Sequence, residues 1–102
     1  MTDAHDPAAR QRAIELLEAN HEFPGPFSLS VIARNDEEVT SAVLAAASVG
    51  VDPSQVTDRH ERKPSAGGKY VSHRLTIPVA SAAAVLDLYA RLRAVEGVIS
   101  LL

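Results

Sequence analysis

The sequence contains no cysteine among its 102 residues, and this absence excludes several kinds of chemistry at once. Without thiols the chain has no disulfide bond, no thiolate nucleophile, no iron–sulfur ligation and no cysteine-based zinc site. Tryptophan is also absent, and only two phenylalanines and two tyrosines are present. Aromatic surfaces on which bases or sugars stack are therefore scarce, and small aliphatic side chains must build the core.

Long apolar runs and an excess of positive charge are missing as well. No stretch approaches the roughly 20 apolar residues that a membrane-spanning helix needs. Residues 1–12 do not match a secretory signal, because they contain acids and no apolar centre. The formal net charge is −3, which provides no general attraction to nucleic acid or anionic lipid. We therefore expect a soluble cytoplasmic protein without nucleic-acid or membrane partners.

The chain opens with a helical pattern that stops at a break rich in proline and glycine. Asp6 followed by Pro7 is typical of a helix start, and apolar residues at helical spacing predict a helix over 7–20. The segment Phe23–Pro26 cannot continue it. Three apolar residues should dock this helix: Ile14, Leu16 and Leu17. The predicted division is an accessory helix over 1–22 and a single domain over 23–102.

The rest of the chain alternates between strand and helix patterns. Apolar and polar residues that alternate with a period of two predict the clearest strands. The predicted strands are 27–33, 55–63, 69–79 and 98–102. Two helices lie between them: the first begins at the N-cap Asn35 and ends at Gly50, and the second begins at Ser81 and ends at Gly97.

This order, βαββαβ, predicts an α+β fold. Two helices on one face of a four-stranded antiparallel sheet give a ferredoxin-like two-layer sandwich, with the accessory helix in addition. In that arrangement the first and third strands are central, and the second and fourth are edges. The charges of the second strand suit an edge, because charge deters pairing with other chains.

Three segments of the domain resemble the YbeD-like family of small uncharacterised bacterial proteins. They are Phe23–Pro24 with the strand that runs from Phe27 to Asn35, the segment Lys63–Ser72, and the closing segment Glu96–Leu102. The resemblance covers 23–102. It implies a ferredoxin-like fold similar to that of ACT domains, which are small regulatory modules that pair their sheets. The family has no established activity, so the resemblance implies a fold and no reaction.

Histidines mark one candidate site. Strand parity from a core-facing Val56 places Asp58 and His60 on the same face, and a hairpin then sets His60 directly across from His73. Cross-strand partners have Cβ atoms about 5 Å apart, close enough for two imidazoles to share a metal or an anion, with Asp58 as a further ligand. In the alternative, this end of the hairpin projects beyond the helices and both rings are inert. The register behind this hypothesis pairs Lys63 with Tyr70 and Val56 with Ile77.

Apolar residues on the other side of the sheet mark a candidate interface. Parity places Ile32, Ile99 and Leu101 on the open sheet face or its edge, where an exposed apolar strip is typical of an interface. No Ser–His–Asp arrangement is evident, and we expect no catalytic residue, no cofactor and no enzymatic activity. The sequence therefore favours a non-catalytic regulatory or protein-interaction module that acts as a homodimer or with another protein. The alternative is a domain that senses a small ligand or a metal at the hairpin end.

Overall fold

The computed structural model describes residues 6–102, in which a four-stranded antiparallel sheet packs against helices. The elements in chain order are α1 (Pro7–Asn20), β1 (Gly25–Arg34), α2 (Glu37–Ala47), α3 (Pro53–Thr57), β2 (Glu61–Pro64), β3 (Tyr70–Val79), α4 (Ala82–Arg93) and β4 (Val98–Leu101). The strand order is β2-β3-β1-β4. The α+β class and the antiparallel sheet are therefore as the sequence predicts. Within residues 6–102, no helix is long and apolar enough to cross a membrane.

The two central strands build the core. β1 and β3 pair along their whole length, from Gly25 opposite Val79 to Arg34 opposite Tyr70. Alternate residues of both strands face the helices and are buried, as their period of two predicts. Small aliphatic side chains of α2 and α4 complete the core, with Val43 and Leu88 almost fully buried. Among residues 6–102, helices thus cover one face of the sheet and leave the other open.

The N-terminal helix joins the helical layer. α1 begins at the predicted N-cap Asp6 and packs against α4, where Arg10 lies 3.6 Å from the Asp87 carboxylate. Ala9 is buried and Leu17 packs against the core, but Leu16 is 67% exposed. The predicted docking through Leu16 is therefore wrong: neighbouring residues of a helix are about 100° apart around its axis, so Leu16 points away from the side on which Leu17 packs.

The segment predicted as a strand over 55–63 is instead a short helix followed by a shorter strand. Asp52 and Pro53 start α3, and the Asp52 carboxylate accepts hydrogen bonds from the Ser54 amide (3.0 Å) and hydroxyl (2.9 Å). This is the same start signal that opens α1. Val56 is buried as expected, but as part of a helical turn, and β2 begins only at Glu61.

The first residue of α2 also differs from the prediction. The N-cap is Asp36, whose carboxylate accepts a hydrogen bond from the Glu38 amide at 2.8 Å. Asn35 has another role: its side-chain amide donates to the Gly68 carbonyl at 2.9 Å, and its backbone amide donates to the Lys69 carbonyl at 3.0 Å. Asn35 therefore ties the start of α2 to the turn of the β2–β3 hairpin.

Gly97 sits at a close approach between the end of the α4 segment and α2. Its φ is +98°, a conformation that side chains of other residues disfavour. A Cβ atom built there would lie 2.7 Å from a γ-carbon of Val39. Its carbonyl accepts a hydrogen bond from the Arg34 amide at 2.9 Å, which fixes the entry into β4. The sequence predicts that a glycine ends the helix here. In the structure both the positive φ and the close contact with Val39 oppose a side chain at this position.

We expect Gly97→Ala to lower the free energy of unfolding by about 2–4 kcal/mol, since the positive φ and the contact with Val39 both oppose a side chain. The matched control is Gly50→Ala. Gly50 has a φ of +78° but nothing within 4 Å of a built Cβ, so only the conformational cost of about 1–2 kcal/mol applies. Urea denaturation of both variants measures the difference. Equal losses would show that the approach to Val39 is not restrictive.

Candidate functional site

The structure places His60 and His73 in direct contact. His73 faces the helical layer from β3 and is fully buried, while His60 lies just before β2 and is half-buried. The Nε2 atom of His60 and the Nδ1 atom of His73 are 2.8 Å apart, which is a hydrogen-bond distance. The ring centroids are 5.0 Å apart and the ring planes are inclined by 27°. The two imidazoles are therefore partly stacked and hydrogen-bonded to each other.

The contact arises from a register other than the predicted one. In the hairpin, Lys63 lies opposite Ser72 rather than Tyr70, and Arg62 lies opposite His73. The predicted cross-strand pairing of His60 with His73 is therefore wrong. His60 reaches the buried ring from the connection after α3, where its backbone amide donates to the Thr57 carbonyl at 3.2 Å.

Burial disfavours the charged form of both rings. Burial lowers the pKa of His73 to about 4, with further lowering by His60 and Arg62 that Glu37 partly opposes. Burial and the charge of Arg62 also lower the pKa of His60. Among residues 6–102, the Nε2 atom of His73 has no hydrogen-bond partner. A hydrogen bond between two imidazoles needs an unprotonated ring nitrogen on one of them as the acceptor, so the contact breaks when both rings are fully protonated.

The third predicted ligand, Asp58, lies outside the contact. It follows α3, is exposed, and lines a shallow cleft of about 300 Å³. The other residues of the cleft are Arg59, His60, Glu61, Arg74 and Thr76. In the described part of the chain, no group of three or more His, Asp or Glu side chains could hold a metal ion. Two imidazole nitrogens bound to one tetrahedral zinc ion lie about 3.4 Å apart. The His60 Nε2 and His73 Nδ1 atoms lie 2.8 Å apart, which is the spacing of a hydrogen bond and not of two zinc ligands.

The side of the sheet away from the helices, which we call the open face, is lined by short polar side chains and a rim of cations. Its residues are Ser28, Ser30, Ile32 and Arg34 of β1, Tyr70, Ser72, Arg74 and Thr76 of β3, Glu61 and Lys63 of β2, and Ser100 of β4. The hydroxyls of Ser28 and Thr76 share a hydrogen bond of 3.0 Å. Ile32 is half-buried on the central strand, opposite Ser72 on one side and Ser100 on the other.

The predicted interface residues of β4 separate onto different sides. Ile99 is 58% exposed, as expected of an outward residue. Leu101 lies opposite the buried Val31 and packs against the core, so its predicted outward orientation is wrong. The cause is an irregularity in the pairing of β4 with β1, between Ile32 and Ala33. It adds one residue to β4 and reverses the alternation.

The outer edge of β4 has backbone groups without partners in the sheet. Ser30 and Leu102 exchange two backbone hydrogen bonds, of 2.8 and 3.0 Å. In an antiparallel pair the next residue points its N–H and C=O the other way, so those of Leu101 face the free edge. β2 forms the opposite edge with four exposed residues, three of them charged and the fourth Pro64. One edge is protected by charge and proline, and the other is not.

A protein-family model described as "Protein of unknown function (DUF493)" matches the sequence over residues 18–102. The match spans all four strands and omits most of α1. It confirms the resemblance to the YbeD-like proteins that the sequence suggested. No curated protein and no solved structure matches the chain.

The histidine pair predicts a loss of stability in mild acid. The ordinary pKa of histidine is about 6.5, and in the folded protein the pKa of His73 is lowered to about 4. Between pH 6.5 and pH 4 the unfolded chain therefore binds more protons than the folded one. The free energy of unfolding is highest above pH 6.5 and decreases as the pH is lowered through this range. Linkage gives a loss of about 2 kcal/mol between pH 7 and pH 5. Urea denaturation at the two pH values measures it.

His73→Leu should remove most of this pH dependence, because it removes the buried group that titrates. The matched control is His21→Gln at an exposed histidine, which should keep the pH dependence of the unaltered protein. If the free energy of unfolding of the unaltered protein and of His73→Leu decreases equally between pH 7 and pH 5, the histidine pair is not the cause of the pH dependence.

Proposed function

The chain belongs to the DUF493 family, and we propose that it is a non-catalytic interaction module that acts as a homodimer. We assign it a ferredoxin-like sandwich similar to ACT domains. This assignment is supported by the central positions of β1 and β3 and by the packing of α2 and α4 on one face of the sheet. A fold of this kind leaves a sheet face and two edges available for partners.

The free edge of β4 is the observation that carries the proposal. β4 is short and uncharged, and the backbone groups of Leu101 face outward. A groove of about 330 Å³ runs beside the edge, lined by Val98, Ile99, Ser100, Leu101 and the α4 residue Arg93. The helical layer therefore does not cover the edge. Unpaired backbone groups beside an exposed isoleucine are what a strand from another chain needs.

A second copy of the chain fits this edge by symmetry. Two β4 strands that pair antiparallel across a two-fold axis join both sheets into one, and each copy presents the same residues to the other. Ile99 lies at this junction and is 58% exposed in one copy. The pairing buries it and supplies partners for the backbone of Leu101. The charged β2 edge offers no comparable surface.

The histidine pair gives less support to the alternative, a domain that senses a ligand or a metal. His73 has no exposed surface, so it cannot touch a substrate or a ligand without movement of the hairpin. His60 is its hydrogen-bond partner, and the described residues provide no third ligand nearby. We therefore assign the pair to the stability of the hairpin end.

We expect the protein to be a dimer at micromolar concentration and Ile99→Lys to convert it to a folded monomer, since two like charges would meet at the two-fold axis. Sedimentation equilibrium measures the mass, and amide NMR shifts report folding. The matched control is Val49→Lys, at an apolar residue that is 56% exposed and follows α2 by two residues; it should remain a dimer. An unaltered protein that is monomeric at every concentration contradicts the proposal.

A further inference from the structure

The open face has an apolar centre in a polar surround. One row of paired residues crosses all four strands: Lys63, Ser72, Ile32 and Ser100. Ile32 is the apolar member of this row, and the serines beside it are short. A side chain from a partner can therefore reach Ile32 without a steric barrier. An apolar centre with a polar rim is typical of protein interfaces.

Cations flank this centre: Lys63 and Arg74 lie on the open face itself, and Lys69 lies just before β3, beside the Tyr70 ring. Lys63, Lys69 and Arg74 are exposed, and none has a carboxylate within 4.0 Å among residues 6–102. Arg34 pairs with Asp36 at 3.8 Å. Glu61, opposite Arg74, is the only acid within the four strands. The sheet therefore has an excess of positive charge, although the net charge of the chain is −3.

This charge distribution limits which partners fit the open face. Two open faces that stack on each other would bring like charges together, so a second copy does not fit here. Proteins that bind single-stranded nucleic acid stack successive bases on several aromatic side chains. Tyr70 is the aromatic residue of the face, 38% exposed, and the Lys69 ammonium lies 5.7 Å from the centre of its ring. An acidic partner with an apolar anchor matches both the cations and Ile32.

We propose that the open face binds an acidic segment of another protein. An apolar side chain of that segment packs on Ile32, and its carboxylates lie toward Lys63, Lys69 and Arg74. The proposal rests on the assignment of the chain as an interaction module and names the chemistry of its partner. The dimer uses the outer edge of β4 and the acidic segment uses the surface of the sheet, so one chain can use both.

The test is an NMR titration of the full chain with a synthetic peptide of glutamates around a central pair of leucines. We expect amide shifts at Ile32, Ser72 and Arg74, and affinity that falls as salt is added. Arg74→Glu should weaken binding by about tenfold or more, since a like charge replaces an attractive one. Ile32→Ser should weaken it without changing the charge. The matched control is Arg12→Glu on the exposed side of α1, which should bind the peptide as before.

Several results would overturn the proposal. They are an absence of binding, amide shifts that map to the helical layer, or an equal loss of affinity in the Arg12→Glu control. Tighter binding of an oligouridine than of the peptide would overturn it in favour of nucleic acid. The monomeric Ile99→Lys variant separates this test from that of the dimer, because the open face lies within one copy. Peptide binding by that variant supports the open face whatever the sedimentation experiment shows.

Discussion

The ladder between β1 and β3 is the constraint on which the rest of the structure depends. It pairs ten residues of each strand, and its buried face presents mostly small aliphatic side chains to α2 and α4. Every later element is positioned against it: β2 pairs with one side, β4 with the other, and the helices cover one face. The open face follows from the same alternation, since each buried residue has an outward neighbour.

The sequence predicts those features that depend on a regular repeat. Strict alternation identifies β1 and β3, and helical spacing identifies α1, α2 and α4. The prediction fails where a local signal competes with the repeat. Asp52 and Pro53 start a helix as Asp6 and Pro7 do, but the charged residues that follow also fit an edge strand. The hairpin turn closes with the Ser65 amide donating to the Tyr70 carbonyl, so the register differs from the predicted one by two residues. Since α3 occupies the start of that segment, His60 lies before β2 and not within it.

The candidate surfaces could be predicted only in part. Burial of His73 follows from its parity on β3, but the position of His60 depends on a turn that no repeat describes. Ile32 and Ile99 lie where the sequence suggests, whereas Leu101 does not. The charge of the open face is the feature that the sequence reveals least. The chain as a whole is acidic, and Lys63 and Arg74 come to lie on one face only because β2 pairs with β3. Net charge alone does not describe such a surface.

The irregular pairing of β4 bears on how far the length of the chain can vary. Val98 lies opposite Ala33 and Ser100 opposite Ile32, so Ile99 is the extra residue between them. A deletion of Ile99 would leave a regular ladder in which Val98 and Leu101 still face the core. Homologous chains can therefore differ by one residue here and keep the same fold. An alignment that forces a gap elsewhere in this segment would exchange inward and outward residues of β4.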